Sequence, residues 1–310
     1  VLKGATVIDG SGSLGSLMDV GIKGDRIEVI DQNITVESIE TLEVTGLTLT
    51  PGFIDVHSHD DFHVLIEQEV RHNILQGVTT VVVGNCGFGA AGSKAGKAQM
   101  KAINEPSIEL PDWTGYAGYL EEVEKTSPAI NVAALIGHHT SRREAMNGVA
   151  DRRPTDSELK LMLASVSEGM EAGALGMSTG LVYEPGRYAA TEEVIALSEV
   201  VGRYEGLYVS HMRDEGSGLL DSVRETLHIG ELSGTSVQIS HHKSVGKSNW
   251  GMVSRSLELI DESIAQGRNV TADQYPYTAR STMLFALVQN GTFNSEEGGA
   301  MGKSDPSEVL

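Results

Sequence analysis

The 310-residue chain carries 23 lysines and arginines against 43 aspartates and glutamates, which gives it a formal charge of −20. Nucleic acids and anionic membranes are bound through clusters of Lys and Arg, so this charge argues against both as partners. Hydrophobic residues make up 40% of the chain and charged residues 21%, which is the composition of a folded globular protein rather than a disordered one.

Two residue types stand out in this composition. There are 36 glycines, well above the average share of about 7%, and ten histidines in a strongly acidic chain. The single cysteine, Cys86, excludes a disulfide bond within the chain. No stretch approaches the roughly 20 apolar residues of a membrane span, and no signal-like segment precedes the first motif, so we expect a cytoplasmic protein.

The two ends of the chain differ from its middle. Residues 1–50 alternate Val-, Ile- and Thr-rich segments with Gly-Asp and Asp-Gly pairs, a pattern typical of short strands joined by turns. We predict a small N-terminal β module there, part of a β-sandwich. Residues 291–310 are polar and rich in Gly and Ser, and we predict an irregular tail.

Strand and helix patterns alternate through residues 51–290. The predicted strands are FIDVH, TTVVVG, NVAALIG, ALGMSTG, GLYVSH, SVQISHH and NVTADQY. Among the helices between them, one spans residues 67–76, and another follows Thr155 and Glu158, which have the spacing of a capping box. Because the alternation is strict and no Gly-x-Gly-x-x-Gly motif follows the first strand, a TIM-type (β/α) barrel is favoured over a dinucleotide-binding fold.

Seven predicted strands leave such a barrel one strand short of eight. We therefore expect the barrel to be incomplete and the chain to be a C-terminally truncated piece of a longer enzyme.

Residue types that bind metals follow four of these strands. They are His57 and His59 at the end of the first strand, Cys86 after the second, His211 at the end of the fifth, and His241 and His242 at the end of the sixth. The carboxyl ends of barrel strands meet at one face, where active sites are built, so these side chains are expected to converge. In extended backbone His57 and His59 share one face, and Cys86 would share a face with Val82 if extension continues that far. Imidazole together with thiolate favours zinc over magnesium or calcium.

Each of these residues also has a purely structural interpretation. A single histidine at a strand end is more often a hydrogen-bonded structural residue than a ligand, and a single cysteine is usually a small buried hydrophobe. Ligand types at four strand ends at once would need several independent coincidences. We therefore predict a metal centre, whose chemistry would be hydrolytic.

The sequence blocks around these residues resemble a known family. TPGFIDVHSHDD resembles the first-strand signature of the amidohydrolase superfamily, whose members have a metal-dependent hydrolase barrel. Taken with GVTTVVVGNCGFG, GLYVSHMRDEG, QISHHKSVGKSNWG and ADQYPYTARSTML, it resembles the D-aminoacylase branch, the N-acyl-D-amino-acid deacylases. The resemblance implies zinc-dependent hydrolysis of N-acyl-D-amino acids, small-molecule substrates, to a carboxylate and a free D-amino acid.

The resemblance also implies a ligand set. Cys86 matches the cysteine that serves where other amidohydrolases use a carboxylated lysine, and it would hold one tight Zn²⁺ with His211 and His241. His57 and His59 match the pair that contributes to a second, weaker metal position.

Of the adjacent histidines after the sixth strand, His241 fits the family pattern and also shares strand parity with Ile239. His242 would then support the site without binding metal. His138 and His139, after the third strand, are expected to lie near the site without being ligands.

Four further residues match family positions that contact the substrate. Lys243, Tyr275 and Ser281 fall where the family binds the substrate carboxylate, and Tyr183 falls where a tyrosine polarises the scissile carbonyl. From the residues alone, Lys243 could equally be a solvated loop lysine, and the two tyrosines could be packing residues.

One expected catalytic residue is missing. The family carries its general base on an aspartate at the end of the eighth strand, in a Ser-Asp-Gly setting, and no such tripeptide occurs in these 310 residues. Asp305 is followed by proline and has no apolar strand before it, so we do not assign it this role. Loss of a general base costs a factor of about 10² to 10⁴ in rate, so these residues alone are not expected to be fully active.

Two other functions compete with this interpretation. A cyclic amidase, such as a dihydroorotase or hydantoinase, shares the His-x-His block but is expected to use a carboxylated lysine on the fourth strand, where ALGMSTG has none. A non-catalytic remnant would bind metal without turnover.

Overall fold

The computed structural model describes residues 1–90, 92, 94–103, 109–148, 151–282, 288–289 and 292–293. The chain divides into two compact units, Val1–Phe53 and Ile54–Leu310. Apart from residues 292 and 293, the predicted tail over residues 291–310 lies outside the described residues. In the described part of the chain, no helix is both long and apolar enough to cross a membrane.

The first unit is a five-stranded sheet, which confirms the predicted N-terminal β module. Its strands are β1 (Leu2–Val7), β2 (Ser16–Lys23), β3 (Arg26–Asp31), β4 (Leu42–Glu43) and β5 (Thr48–Leu49). Strand β2 pairs antiparallel with both β1 and β3, and the two short strands pair parallel with β1. A two-residue turn joins β2 to β3, and Gly24 adopts there a φ of +63°, which disfavours any side chain.

The second unit is built on a seven-stranded sheet. Its strands are β6 (Phe53–Asp55), β7 (Val78–Val83), β8 (Asn131–Gly137), β9 (Gly176–Gly180), β10 (Leu207–His211), β11 (Ser236–Ile239) and β12 (Val270–Ala272). They neighbour one another in chain order, and the pairs from β7 to β12 are parallel. This order confirms the predicted TIM-type barrel with seven of its eight strands.

Helices connect these strands. They are α1 (His63–Ile66), α2 (Arg71–Ile74), α3 (Lys94–Ile103), α4 (Gly115–Thr126), α5 (His138–Ala145), α6 (Asp156–Glu171), α7 (Thr191–Gly202), α8 (Leu219–Ser233) and α9 (Met252–Ala265). A short antiparallel pair, β13 (Val288–Gln289) and β14 (Thr292–Phe293), follows the last parallel strand.

The predicted helix over residues 67–76 is wrong. The structure has two four-residue helices instead, α1 before this segment and α2 near its end. Val70, directly before α2, adopts a left-handed φ of 41°, which a continuous helix does not allow.

The core of the second unit lies mainly between the sheet and its helices. Val81 and Val83 of β7 belong to it, together with Val166 of α6. Side chains alternate along a strand, so the intervening Val82 faces the other side of the sheet, where it packs with Leu135 and Val209. The strands are therefore fixed from both faces, and their carboxyl ends are held in place for the site.

The capping box predicted at Thr155 is confirmed. The N–H of Glu158 donates to Thr155 Oγ1 at 3.3 Å, and the N–H of Thr155 donates to Glu158 Oε2 at 2.7 Å.

We expect Thr155→Ala to lower the free energy of unfolding by about 1 kcal/mol, because one N–H at the start of α6 loses its acceptor. Denaturant unfolding should show little change for the control Thr155→Ser, and an unchanged midpoint for Thr155→Ala would contradict the capping role.

Candidate metal centre

The five side chains predicted to bind metal lie together at the carboxyl ends of the strands, around Cys86. The Sγ atom of Cys86 lies 3.4 Å from His57 Nε2, 3.4 Å from His211 Nδ1 and 3.8 Å from His241 Nε2. His59 also forms a side-chain hydrogen bond with Cys86, and its ring meets the His57 ring edge-on, with centroids 5.6 Å apart. We call these five residues the cysteine cluster.

Extended backbone does not continue to Cys86 or to His241. Strand β7 ends at Val83, and Gly84 and Cys86 have φ values of +81° and +56°. Strand β11 ends at Ile239, and His241 has a φ of +37°. The condition under which Cys86 would share a face with Val82 is therefore not met, and strand parity does not account for the direction of His241. Tight turns after the strands aim both side chains instead.

Two carboxylates orient histidines of the cluster. Asp273, the residue directly after β12, lies 3.3 Å from His57 Nδ1 and accepts the backbone N–H of His241 at 2.6 Å. Glu215, in the loop after β10, lies 2.7 Å from His241 Nδ1. A carboxylate beside one ring nitrogen favours the proton there and leaves the lone pair of the other nitrogen facing away. In both histidines that other nitrogen is the Nε2 that faces Cys86. Without a metal this Nε2 shares a proton with the thiolate, since the pKa values of His57 and His241 are raised, and a metal ion would take the place of that proton.

Charges within the cluster stabilise one another despite their burial. Burial alone would raise the pKa of the Cys86 thiol, but the charge of His57 and hydrogen bonds with His211 and His241 hold this pKa well below its usual value. Burial likewise opposes charge on His57, whose pKa is nevertheless raised to about 10, chiefly by the charge of Cys86. Glu215 has its pKa lowered to about 2, against burial, by its hydrogen bond with His241. The thiolate, which is the metal-binding form of cysteine, is thus favoured.

The distances between Cys86 Sγ and its ring nitrogens suit a zinc ion, whereas His211 Nδ1 and His241 Nε2, which lie 2.8 Å apart, would separate to about 3.4 Å when both bind one ion. Tetrahedral zinc with bonds of about 2.1 Å to nitrogen and 2.3 Å to sulfur places sulfur and nitrogen ligands about 3.6 Å apart, and the Sγ–N distances around Cys86 are 3.4 to 3.8 Å. Two triplets have all their donor atoms within 4.8 Å of one another: His57 with Cys86 and His241, and His211 with Glu215 and His241.

Two buried polar atoms at the cluster also indicate a metal site. His211 Nε2 and Glu215 Oε2 are buried without a hydrogen-bond partner among the described residues. Buried polar groups are rarely left unpaired in proteins unless a ligand or a functional role accounts for them. Thiolate and imidazole donors suit zinc better than magnesium or calcium.

Tyr183 lies beside the cluster. Its ring centroid is 4.8 Å from that of His211, and its hydroxyl lies 3.1 Å from the Oγ1 of Thr282. Burial, and next the negative charge of Cys86, raise the pKa of Tyr183. The hydroxyl therefore keeps its proton and is available as a hydrogen-bond donor.

Lys243 and Tyr275 are adjacent at the same face of the sheet. Lys243 Nζ donates to Glu215 Oε1 at 2.7 Å and to the carbonyl of His241 at 3.0 Å, and it lies 5.4 Å from the centre of the Tyr275 ring. Burial lowers the pKa of Lys243, although the negative charge of Glu215 acts in the opposite direction. Ser281 is exposed and precedes the threonine that contacts Tyr183.

The other histidines near strand ends have different partners. His242 Nε2 lies 2.9 Å from Ser256 Oγ of α9, and His138 Nε2 lies 2.9 Å from Glu193 Oε1 of α7. His139 is buried and faces the carbonyl of Gly180.

Sequence reasoning missed Glu215 and Asp273. Asp273 follows its strand directly, the position that singled out the histidines, so applying the same criterion to carboxylates would have found it. Glu215 lies four residues after β10, next to a second acid, and no local signal separates the two. In the structure that second acid, Asp214, accepts the backbone N–H groups of Gly216 and Gly218 and serves its own loop.

Comparison with known proteins places this chain in a family. The model of an amidohydrolase family matches residues 40–287. The chain belongs to this amidohydrolase family.

Individual relatives identify the branch of the family that this chain resembles. This amidohydrolase is 39% identical to the D-aminoacylase and 38% identical to the N-acyl-D-glutamate deacylase of Alcaligenes xylosoxydans xylosoxydans, over 92% of this chain and 58% of each relative. The chain also matches a solved structure, that of N-acyl-D-glutamate deacylase from Bordetella bronchiseptica complexed with zinc and a phosphonate inhibitor. The TM-score is 0.81 at 35% identity, and the match covers 89% of this chain and 58% of that one. These matches confirm the resemblance to the D-aminoacylase branch, and the chain spans 58% of the length of these relatives.

The role of Asp273 is open to a direct test. We expect Asp273→Asn to weaken zinc binding at the second, weaker position, to which His57 would contribute, by about 10- to 100-fold, because the His57 ring loses the carboxylate that holds its Nδ1 proton. Competition with a chelating dye measures the dissociation constant. The control Asp221→Asn, which removes an exposed carboxylate paired with Arg224, should leave the constant unchanged. Equal affinity of the Asp273→Asn protein and the parent would contradict the orienting role.

Proposed function

We propose that the gene product containing this amidohydrolase chain hydrolyses the amide bond of N-acyl-D-amino acids, with zinc as its metal. The observation that carries the proposal is the cysteine cluster, in which one buried thiolate meets histidines oriented by carboxylates. The activities named for the deacylase relatives support the substrate class.

In this proposal the cluster holds the metal. Cys86, His211 and His241 would bind the tight zinc ion, and His57 and His59 would contribute to a second, weaker position. Zinc bound there acts as a Lewis acid, which polarises a carbonyl group and makes water more acidic.

Tyr183 would act on the scissile carbonyl. Its hydroxyl keeps its proton because its pKa is raised, and it lies beside His211 on the edge of the cluster. A fixed donor of this kind stabilises the negative charge that develops on the carbonyl oxygen during attack.

The substrate carboxylate would bind on the Lys243 side of the site. In a chain with a formal charge of −20, Lys243 places a largely buried cation beside the cluster, with the Tyr275 ring next to it. Ser281 would supply a further hydroxyl donor. A carboxylate reaching Lys243 would share this cation with Glu215, its present partner at 2.7 Å.

The attacking water needs a proton acceptor that these residues do not offer. Glu215 and Asp273 are already engaged with His241 and His57. The general base expected from the family would belong to a Ser-Asp-Gly segment, which is absent from the 310-residue sequence. We therefore propose that this chain by itself binds zinc but turns over slowly.

A cyclic amidase is disfavoured by the fourth strand. Such an enzyme is expected to carry a carboxylated lysine there, whereas β9 reads GMSTG. Its Ser178 is buried and hydrogen-bonded to the Gly84 carbonyl and to the N–H of Gly87, on either side of Cys86. The fourth strand thus supports the cysteine loop.

Substrate assays test the proposed function. The zinc-loaded gene product is expected to release free amino acid from N-acetyl-D-amino acids and not from N-acetyl-L-amino acids, and to leave the rings of dihydroorotate and hydantoin unopened. The 310-residue chain alone should bind zinc but turn over at least about 10²-fold more slowly, because it lacks the general base. Hydrolysis confined to the cyclic amides would favour the cyclic amidase, and zinc binding by the gene product without any turnover would favour a non-catalytic remnant. Equal rates of hydrolysis for the 310-residue chain and the gene product would contradict the proposal that the chain lacks the general base.

The ligand role of Cys86 has its own test. We expect Cys86→Ala to abolish tight zinc binding, since the thiolate is the central donor of the cluster. Metal content after gel filtration measures this. His228→Gln, which changes an exposed histidine on α8, is the control and should retain zinc. Stoichiometric zinc in the Cys86→Ala protein would refute the assignment.

A further inference from the structure

One fully buried histidine beside the site has no role in the mechanism above. His139 lies in the first turn of α5, two residues after the end of β8, and is 0% exposed. Burial, with the neighbouring charge of His138, lowers its pKa well below the usual value, so the imidazole is neutral. Its Nε2 lies 2.9 Å from the carbonyl of Gly180, which can only accept, so Nε2 carries the proton.

Three glycines surround this imidazole: Gly87 after β7, Gly180 at the end of β9, and Gly186 in the connection that follows β9. A Cβ atom added at Gly87 would lie 2.8 Å from His139 Cδ2, and one added at Gly180 would lie 3.1 Å from Cε1. A Cβ at Gly186 would collide with Nε2. These three glycines belong to the sequences GNCG, MSTG and EPG, so the high glycine content at the strand ends has a specific cause here.

His139 connects the cysteine loop to the loop of Tyr183. Its backbone N–H donates to the Gly87 carbonyl at 2.9 Å, one residue after Cys86. Its side chain donates to Gly180, and the same carbonyl accepts the N–H of Tyr183 at 2.9 Å.

Ring packing reinforces this connection. The His139 ring meets Phe88 edge-on at a centroid distance of 4.9 Å and faces Tyr183 at 6.5 Å with an interplanar angle of 83°. Phe88 in turn lies 5.4 Å from Tyr183. The three rings therefore fix where the tyrosine stands relative to the cysteine loop.

We propose that His139 is a positioning residue, which sets the place of the Tyr183 hydroxyl relative to Cys86. Its consequence for catalysis rests on the proposed function, whereas its consequence for the position of Tyr183 does not. A neutral imidazole suits this role because it donates one hydrogen bond and fills the space left by three glycines without adding a charge.

The position of Tyr183 can be measured without any substrate. The chain has eight tyrosines, so ¹⁹F NMR of protein labelled with 3-fluorotyrosine is tractable, and Tyr183→Phe assigns the resonance. We expect His139→Leu to shift the Tyr183 resonance, and His139→Gln to restore it largely, because the glutamine amide still donates to Gly180. An unshifted Tyr183 resonance in folded His139→Leu protein overturns the proposal, whatever the enzyme's activity.

Kinetics of the zinc-loaded gene product provide the second measurement. We expect His139→Leu to lower kcat by about 10- to 100-fold, as misplacement of a catalytic group by about 1 Å does, while KM changes by less than about threefold. In the Tyr183→Phe background the same substitution should have little further effect, because the two residues act as one unit. If the losses of kcat caused by His139→Leu and Tyr183→Phe were additive, the proposal that His139 acts through Tyr183 would be overturned.

One further variant serves as a control, and another replaces His139→Leu if that protein does not fold. His138→Gln changes the adjacent, equally buried histidine, whose Nε2 faces Glu193, and should leave the Tyr183 resonance and kcat unchanged. If His139→Leu does not fold, Gly186→Ala displaces the imidazole while keeping its donor, and it should shift the Tyr183 resonance and lower kcat in the same way. A loss of equal size in His138→Gln would indicate a general effect of helix α5 and overturn the proposal.

Discussion

The attraction between one buried thiolate and the imidazoles around it is the interaction on which the rest of this site depends. A buried charge is strongly unfavourable unless partners surround it. Cys86 meets that condition with three ring nitrogens at 3.4 to 3.8 Å, supplied from the carboxyl ends of three different strands or from the loops directly after them. The cluster therefore forms only when those strands hold their order in the sheet, which makes the barrel a requirement of the chemistry.

Carboxylates and backbone turns convert that attraction into a defined geometry. Asp273 and Glu215 fix which nitrogen of His57 and His241 faces the sulfur. The left-handed backbone at Cys86 is unusual for a residue with a side chain, and it persists because the surrounding loops determine it. Such strain is characteristic of functional sites, where the structure is organised around a ligand as well as around its own core.

Part of this architecture could be predicted from local signals. Strand and helix periodicity identified all seven strands of the barrel sheet, and the capping box at Thr155 located the start of α6. Histidines after strand ends indicated where the cluster lies, because parallel strands bring their carboxyl ends to one face. The helix predicted over residues 67–76 failed because Val70 adopts a left-handed conformation that no local pattern announces.

The sequence by itself determined the barrel, the residue types of the cluster and their order along the chain, since periodicity and spacing are properties of neighbouring residues. Only the tertiary structure decided that Glu215, and not Asp214, reaches His241, and that Asp273 holds His57 across 216 residues of chain. It also showed that three glycines leave room for His139. Contacts of this kind depend on loop conformations and on distant strands that meet in space, so no local pattern encodes them.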